Sequence, residues 1–130
     1  MTVYLLDSCV LIDLLRGRVD RVDRVRRILD AGGVLAGCAI TLGEVRAGMR
    51  PNEEEATLGL LESLRYLPLS AQGALLAGKW RAAFRSQGVT LALADALVAA
   101  TAVEHAATLV TDNMEHYPQA EVLRLAASDL

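Results

Sequence analysis

Acidic or amide side chains occur at four places in the sequence, each beside an apolar run. These residues are Asp7, Glu44, Asp95 and the pair Asp112-Asn113. Carboxylates that converge repel one another unless a cation lies between them. A divalent cation held by carboxylate oxygens is typical of enzymes that act on phosphate esters. The pattern therefore predicts phosphate chemistry at a metal site, provided that the fold brings these places together.

The elements that must position these residues follow from the apolar periodicity. Short apolar runs predict buried strands over 3–6, 34–40, 66–69, 109–111 and 122–125. Helical spacing and stop signals predict helices over 8–17, 18–30, 41–48, 52–65, 71–85 and 91–105. This alternation predicts an α/β fold, a single-domain α/β/α sandwich with a central parallel sheet that spans residues 1–130. Ligands of such sheets bind beyond the carboxyl ends of the strands.

Purely structural roles compete with the chemical ones at three of these positions. Asp7 could cap the first helix, although Ser8 can cap it as well. Glu44 could complete a capping box with Thr41, which would start a helix there. Asp95 is the hardest to explain in this way, because a lone carboxylate in an apolar helix is rarely buried without a partner.

The composition narrows the classes of function. The chain has 130 residues, 53% of them hydrophobic, and a net charge of −3, so electrostatic attraction of the whole molecule to nucleic acid is excluded. Six arginines between positions 16 and 27 form a local basic stretch, with Asp20 and Asp23 interleaved. A solvated, salt-bridged helix face and an RNA or partner contact both remain open for this stretch.

Two cysteines without a cysteine-rich framework indicate a reducing compartment. Cys9 and Cys38 lie in apolar surroundings and are interpreted as small hydrophobic residues. No charge-free apolar stretch reaches the roughly 18 residues that a membrane span requires. We therefore expect a cytoplasmic protein without a membrane anchor.

Four segments resemble the signature blocks of the PIN-domain family. They are Leu5–Ile12, Thr41–Gly48, Ala94–Thr101 and Leu109–Tyr117. The likeness is closest to the VapC-type toxins of bacterial and archaeal toxin–antitoxin systems. It covers essentially the whole chain, and the blocks occur in the family's order.

The resemblance implies an endoribonuclease that depends on Mg²⁺ or Mn²⁺. It also implies a homodimer that a small antitoxin protein silences by covering the site. Asp7, Glu44 and Asp95 match the three acidic positions, which are both catalytic and metal-binding in the family. Ser8 matches the small polar residue beside the first acid, and Thr111 matches a hydroxyl that lines the site.

The fourth acidic position departs from the pattern of the family. The pattern places Asn113 there rather than Asp112. An amide is a weaker metal ligand than a carboxylate and does not act as a base, so Asn113 would position water or metal, and Asp112 could point elsewhere. Arginines near the acidic residues are candidates for holding the RNA backbone. They are Arg16, Arg18, Arg46 and Arg50.

Three alternatives to the ribonuclease remain at this stage. A catalytically weak or inactive domain of this type could serve as a binding scaffold, which the amide at position 113 leaves open. A nuclease of the same fold could act on DNA. A phosphatase of the haloacid-dehalogenase type would need an aspartate where Cys9 stands, and a glycine-rich nucleotide loop is absent.

Overall fold

A five-stranded, all-parallel sheet forms the centre of the computed structural model, which describes residues 1–130. Its strands are β1 (Val3–Leu6), β2 (Val34–Gly37), β3 (Arg65–Tyr66), β4 (Thr108–Thr111) and β5 (Arg124–Ala126). Their order in the sheet is β3-β2-β1-β4-β5. β1 is the middle strand, with Leu5 opposite Ala36 of β2 and Leu109 of β4. The predicted parallel sheet is confirmed.

Six α-helices connect and cover the strands. They are α1 (Ser8–Leu15), α2 (Val19–Asp30), α3 (Ala39–Ala47), α4 (Glu54–Ser63), α5 (Ala71–Ser86) and α6 (Leu93–Glu104). Three short 3₁₀ turns occupy Pro51–Glu53, Met114–His116 and Ala127–Asp129. None of the helices combines the length and the apolar character needed to cross a lipid bilayer.

Alternate side chains of the central strands point to opposite faces of the sheet, and each face has its own core. Leu5 and Leu109 pack on one side with Trp80 of α5 and the alanine-rich face of α6. Leu6 and Val110 pack on the other side with residues of α1, α3 and α4, such as Leu11. The result is the predicted α/β/α sandwich, with both faces of the sheet buried as parallel sheets require.

The boundary between β2 and α3 differs from the sequence-based prediction. The strand was expected to extend to Ile40 and the helix to begin at Thr41, but β2 ends at Gly37 and Cys38 is the N-cap of α3. The Thr41 hydroxyl accepts a hydrogen bond from the Cys38 backbone N–H at 3.0 Å, so Thr41 is the third helical residue. The predicted capping box of Thr41 with Glu44 is therefore wrong, and Glu44 lies inside the helix.

The N-cap of α1 is also assigned differently. Asp7, not Ser8, is the N-cap residue, and its carboxylate Oδ1 accepts a hydrogen bond from the Ser8 backbone N–H at 2.8 Å. The structural role considered for Asp7 is thus real. It uses only one of the two carboxylate oxygens, which leaves the other oxygen available for other contacts.

Candidate active site

Asp7 and the residues that follow β4 lie at the point where the strand order reverses. Connections run from β1 to β2 on one side, whereas β4 lies on the other side of β1. A crevice forms beyond the carboxyl ends of such neighbouring strands. Asp7 directly follows β1, and its backbone N–H donates to the carbonyl oxygen of Val110 in β4 at 2.9 Å. The end of β4 continues into Thr111 and Asn113, so the first and fourth signature blocks share this edge of the sheet.

Asp7 is held rigidly although it is an acid in the protein interior. It is 7% exposed. Its Oδ2 accepts hydrogen bonds from the Thr111 hydroxyl at 2.7 Å and from the Tyr117 hydroxyl at 3.1 Å, while Oδ1 accepts from the Ser8 N–H. Three donors thus fix the orientation of this carboxylate. Thr111 makes its contact through the side-chain hydroxyl, whereas Ser8 makes its contact through the backbone.

Asp95 lies in the first turn of α6 and faces Asp7 across the Tyr117 hydroxyl. The distance from the Tyr117 oxygen to Asp95 Oδ1 is 3.4 Å, and His116 Nδ1 lies 3.5 Å from Asp95 Oδ2. Burial raises the pKa of Asp95, and the charge of Asp7 raises it further, while His116 offsets part of the rise. Burial and the two carboxylates also raise the pKa of the Tyr117 phenol, which therefore remains a proton donor.

Glu44 reaches the same group of acids from α3. The residue as a whole is exposed to solvent, but partial desolvation and the charge of Asp7 raise the pKa of its carboxylate, with a smaller contribution from Asp95. A hydrogen bond with the Ser8 side chain lowers it in part. This electrostatic coupling indicates that Glu44 lies near Asp7 and, less closely, near Asp95.

The donor set suits a hard divalent cation by its chemistry, since carboxylate and hydroxyl oxygens surround the site. Burial, and to a smaller extent the charge of Asp7, raises the pKa values of Glu44 and Asp95, and a bound cation would offset both effects. As the side chains lie, however, no three of the His, Cys, Asp and Glu side chains converge on one ligand position. A cation shared by all three acids would therefore require a rotamer change in at least one of them.

The two residues proposed for the fourth position have separate environments. Asp112 Oδ1 pairs with Arg21 Nη2 at 2.5 Å, and Arg21 Nε lies 3.4 Å from Asp13 of α1. Arg21 is only 5% exposed, so this pair joins α2 to the loop after β4. The Asn113 N–H donates to the Thr111 hydroxyl at 3.0 Å, which ties its backbone to the Asp7 hydrogen-bond network. This contact is made by the backbone, so the role of the Asn113 amide side chain stays a prediction.

The basic stretch of α2 does not form one continuous surface. Arg21 is buried, and Arg24 donates to the carbonyl oxygens of Ala127 and Ser128. Arg18 pairs with Asp13 at 2.8 Å. These contacts favour the structural interpretation for much of the stretch. Three other arginines that were predicted to contact RNA are exposed to solvent. They are Arg16, Arg46, whose side chain is 55% exposed, and Arg50, whose side chain is 66% exposed.

Two residues near the acids were not predicted as part of the site. Tyr117 closes the fourth signature segment, and His116 directly precedes this tyrosine. The turn Met114–His116 folds back from β4 and carries both side chains to Asp95. An aromatic residue a few positions after an Asp-Asn turn was the available signal, but only the geometry of the 3₁₀ turn reveals that its hydroxyl points at the acids.

Known proteins resemble this chain in sequence and in fold. The sequence model described as the PIN domain matches residues 4–121. Ribonuclease VapC10 of Mycobacterium tuberculosis is 35% identical over 122 residues, which cover 94% of this chain and 91% of that protein. Ribonuclease VapC19 of the same species is 26% identical over 114 residues, which cover 88% of this chain and 91% of that protein.

A solved toxin–antitoxin complex from Klebsiella pneumoniae contains a chain of similar structure. The TM-score is 0.76 at 26% sequence identity, and the match covers 98% of this chain and 99% of that one. The similarity therefore extends over the complete sheet and its helices, including all the elements that carry the acidic residues.

Proposed function

The chain belongs to the PIN-domain family, and from this premise we propose that it is a metal-dependent endoribonuclease, the toxin of a toxin–antitoxin pair. The observation that carries the proposal is the buried Asp7 carboxylate at the strand-order reversal, with Asp95 beside the same Tyr117 hydroxyl and Glu44 electrostatically coupled to Asp7. Two related chains of matching length, VapC10 and VapC19, are ribonucleases.

Each residue of the site would have a distinct role in binding the metal or the attacking water. Asp7, fixed by the Ser8 N–H and the Thr111 hydroxyl, would be the most rigid metal ligand, and Asp95 the second. Glu44 is the most exposed of the three acids and would face the substrate side, where it ligates directly or orients the attacking water. Asn113 would position water or metal through its amide, and Asp112 would support the loop through Arg21.

Mg²⁺ or Mn²⁺, when bound by these acids, would polarise the scissile phosphate and lower the pKa of a coordinated water. The protein's own contribution is orientation, because a hydrolytic attack must be in line with the leaving oxygen. Exposed arginines would hold the neighbouring phosphates, and two candidates, Arg46 and Arg50, follow Glu44 in α3 and in the loop after it. RNA is the proposed substrate, since the two ribonuclease relatives support this class.

Two protein partners complete the proposal. The structural neighbour from Klebsiella pneumoniae is a toxin–antitoxin complex, which supports a small antitoxin as the partner of this chain. The resemblance to VapC-type toxins supports a homodimer. Mass measurement of the isolated chain and of its complex with the antitoxin would test both assignments.

Cleavage of total RNA by the antitoxin-free protein tests the function. We expect discrete fragments with Mg²⁺ or Mn²⁺, none with EDTA, and none from the Asp95→Asn variant. Competition with DNA of equal length separates a DNA-directed nuclease from a ribonuclease. A folded protein that binds the cation and cleaves neither nucleic acid would contradict the proposal and favour a binding scaffold.

A further inference from the structure

The Tyr117 hydroxyl occupies a place between two acids that the proposed reaction does not explain. Its oxygen lies 3.1 Å from Asp7 Oδ2 and 3.4 Å from Asp95 Oδ1, and Tyr117 is 1% exposed. The ring packs among the core residues beneath α6. Apolar packing needs only the ring, so a phenylalanine would fill the same space. The hydroxyl introduces a buried polar group, whose only hydrogen-bond partners are the two carboxylates.

We propose that Tyr117 is a positioning residue, whose hydroxyl orients the carboxylates of Asp7 and Asp95 as ligands of one divalent cation. This inference rests on the proposed metal-dependent function. Like charges at short range repel and would otherwise move apart. The phenol carries one proton, which the shorter distance directs to Asp7 Oδ2, while its hydroxyl group also stands between Asp7 and Asp95 Oδ1. The Tyr117 ring lies in the core, so the hydroxyl reaches the carboxylates from the protein interior.

The backbone around Tyr117 is built to aim the hydroxyl. Its N–H donates to the carbonyl oxygen of Met114 at 3.1 Å, and its own carbonyl oxygen accepts from Arg124 Nη1 at 2.6 Å. Arg124 belongs to β5, the edge strand next to β4. The residue is thus fixed from both sides, as expected of a residue that orients metal ligands through hydrogen bonds.

The Tyr117→Phe variant tests the inference by metal affinity, which is read by calorimetric titration with Mn²⁺ in the absence of RNA. Loss of a hydrogen bond that orients a ligand lowers metal affinity by about tenfold or more. We therefore expect the dissociation constant for Mn²⁺ to rise by about tenfold. In cleavage assays the variant should need correspondingly more Mn²⁺, and it should approach the wild-type rate when the cation saturates.

Tyr4→Phe is the matched control, because it removes a hydroxyl from the amino-terminal part of β1, away from the acids. Its Mn²⁺ affinity should equal that of the wild type. Wild-type affinity in Tyr117→Phe, or a tighter affinity, overturns the inference. The same titration in the Asp95→Ala background distinguishes this role from a general packing defect. There Tyr117→Phe should raise the dissociation constant for Mn²⁺ by a smaller factor, and an equally large factor overturns the inference.

The result is distinguishable from failure of the proposed function. Wild-type protein that binds Mn²⁺ but leaves RNA intact contradicts the ribonuclease, and the affinity of Tyr117→Phe still decides the role of the hydroxyl. Wild-type protein that binds no Mn²⁺ overturns both. Wild-type cleavage combined with unchanged metal affinity in Tyr117→Phe overturns only the inference about Tyr117.

Discussion

Removal of the Asp112 carboxylate should destabilise the protein without removing a catalytic group. Asp112 Oδ1 lies 2.5 Å from Arg21 Nη2, and the Arg21 side chain is 6% exposed. Breaking a fully buried ion pair costs about 3–5 kcal/mol, because the remaining charge is left without a partner. Here the Asp112 side chain is 37% exposed, and Asp13 remains 3.4 Å from Arg21 Nε. Solvent screening and this second carboxylate reduce the expected loss to about 2 kcal/mol.

Urea denaturation of Asp112→Ala measures the free energy of unfolding directly. In thermal unfolding the same loss corresponds to a Tm lowered by about 6–10 °C for a domain of this size. Asp20→Ala is the control, since the Asp20 side chain is 55% exposed and pairs with the exposed Arg18, with 3.5 Å between Asp20 Oδ2 and Arg18 Nη2. It should change stability by less than about 0.5 kcal/mol.

Asn113→Ala, at the neighbouring position, should change RNA cleavage rather than stability. Its stability should stay within about 0.5 kcal/mol of the wild type, whereas RNA cleavage should fall by about tenfold or more if the amide positions water or metal. An Asp112→Ala variant that keeps its stability but loses cleavage would refute the reasoning. It would assign the fourth acidic position to Asp112 rather than to Asn113.

Three further predictions follow from the site and its supports. Asp95→Asn should reduce cleavage at least about a hundredfold. The pKa of Asp95 in the folded protein is raised above 3.8, so ionisation of this carboxyl lowers the free energy of unfolding as the pH rises. Asparagine does not ionise, so in EDTA the variant should gain stability relative to the wild type as the pH rises from about 4, and a difference in stability that does not change with pH would contradict this. Gly78→Ala in α5 meets open space and should stabilise the protein by about 0.5–1 kcal/mol in urea denaturation. Gly73→Ala in the same helix should lose that gain, since the new Cβ would lie 2.3 Å from Leu69 Cδ1 and 2.8 Å from Glu104 Oε1, and both side-chain ends would have to shift; equal effects would contradict the packing argument. Arg46→Ala and Arg50→Ala should each reduce the slope of log K against log salt for RNA binding by about 0.7, measured by fluorescence anisotropy, while Lys79→Ala on α5 should leave the slope unchanged.

The sheet and its helices were predictable from the sequence because the apolar runs are unambiguous. The all-apolar stretch of α6 and the short runs of β1 and β4 have few alternative placements in a small domain. Boundaries were less predictable. Thr41 satisfies the signature of a helix start, yet its hydroxyl bonds back to Cys38, and the capping pattern alone does not distinguish the first helical residues from the cap.

The acids of the site were predictable as types and positions, whereas their supports depend on tertiary structure. Asp7 and Asp95 stand out beside apolar runs, but the donors that hold them come from residues far away in the sequence. Arg21 illustrates the same point, since a basic helix face predicted a surface patch and one of its arginines is buried against Asp112. Periodicity identifies the face of a helix, not the partner that another loop supplies.

The chemical ends of the RNA fragments test the central claim most directly. If the acidic site activates a water for hydrolysis, fragments made by the wild-type protein with Mg²⁺ carry a 5′-phosphate and a 3′-hydroxyl. Ligation to an adaptor that requires a 5′-phosphate, together with polyadenylation of the free 3′-hydroxyl, reports both ends. Fragments that end in a 2′,3′-cyclic phosphate and a 5′-hydroxyl would show attack by the ribose hydroxyl, and would contradict the account of Asp7, Glu44 and Asp95.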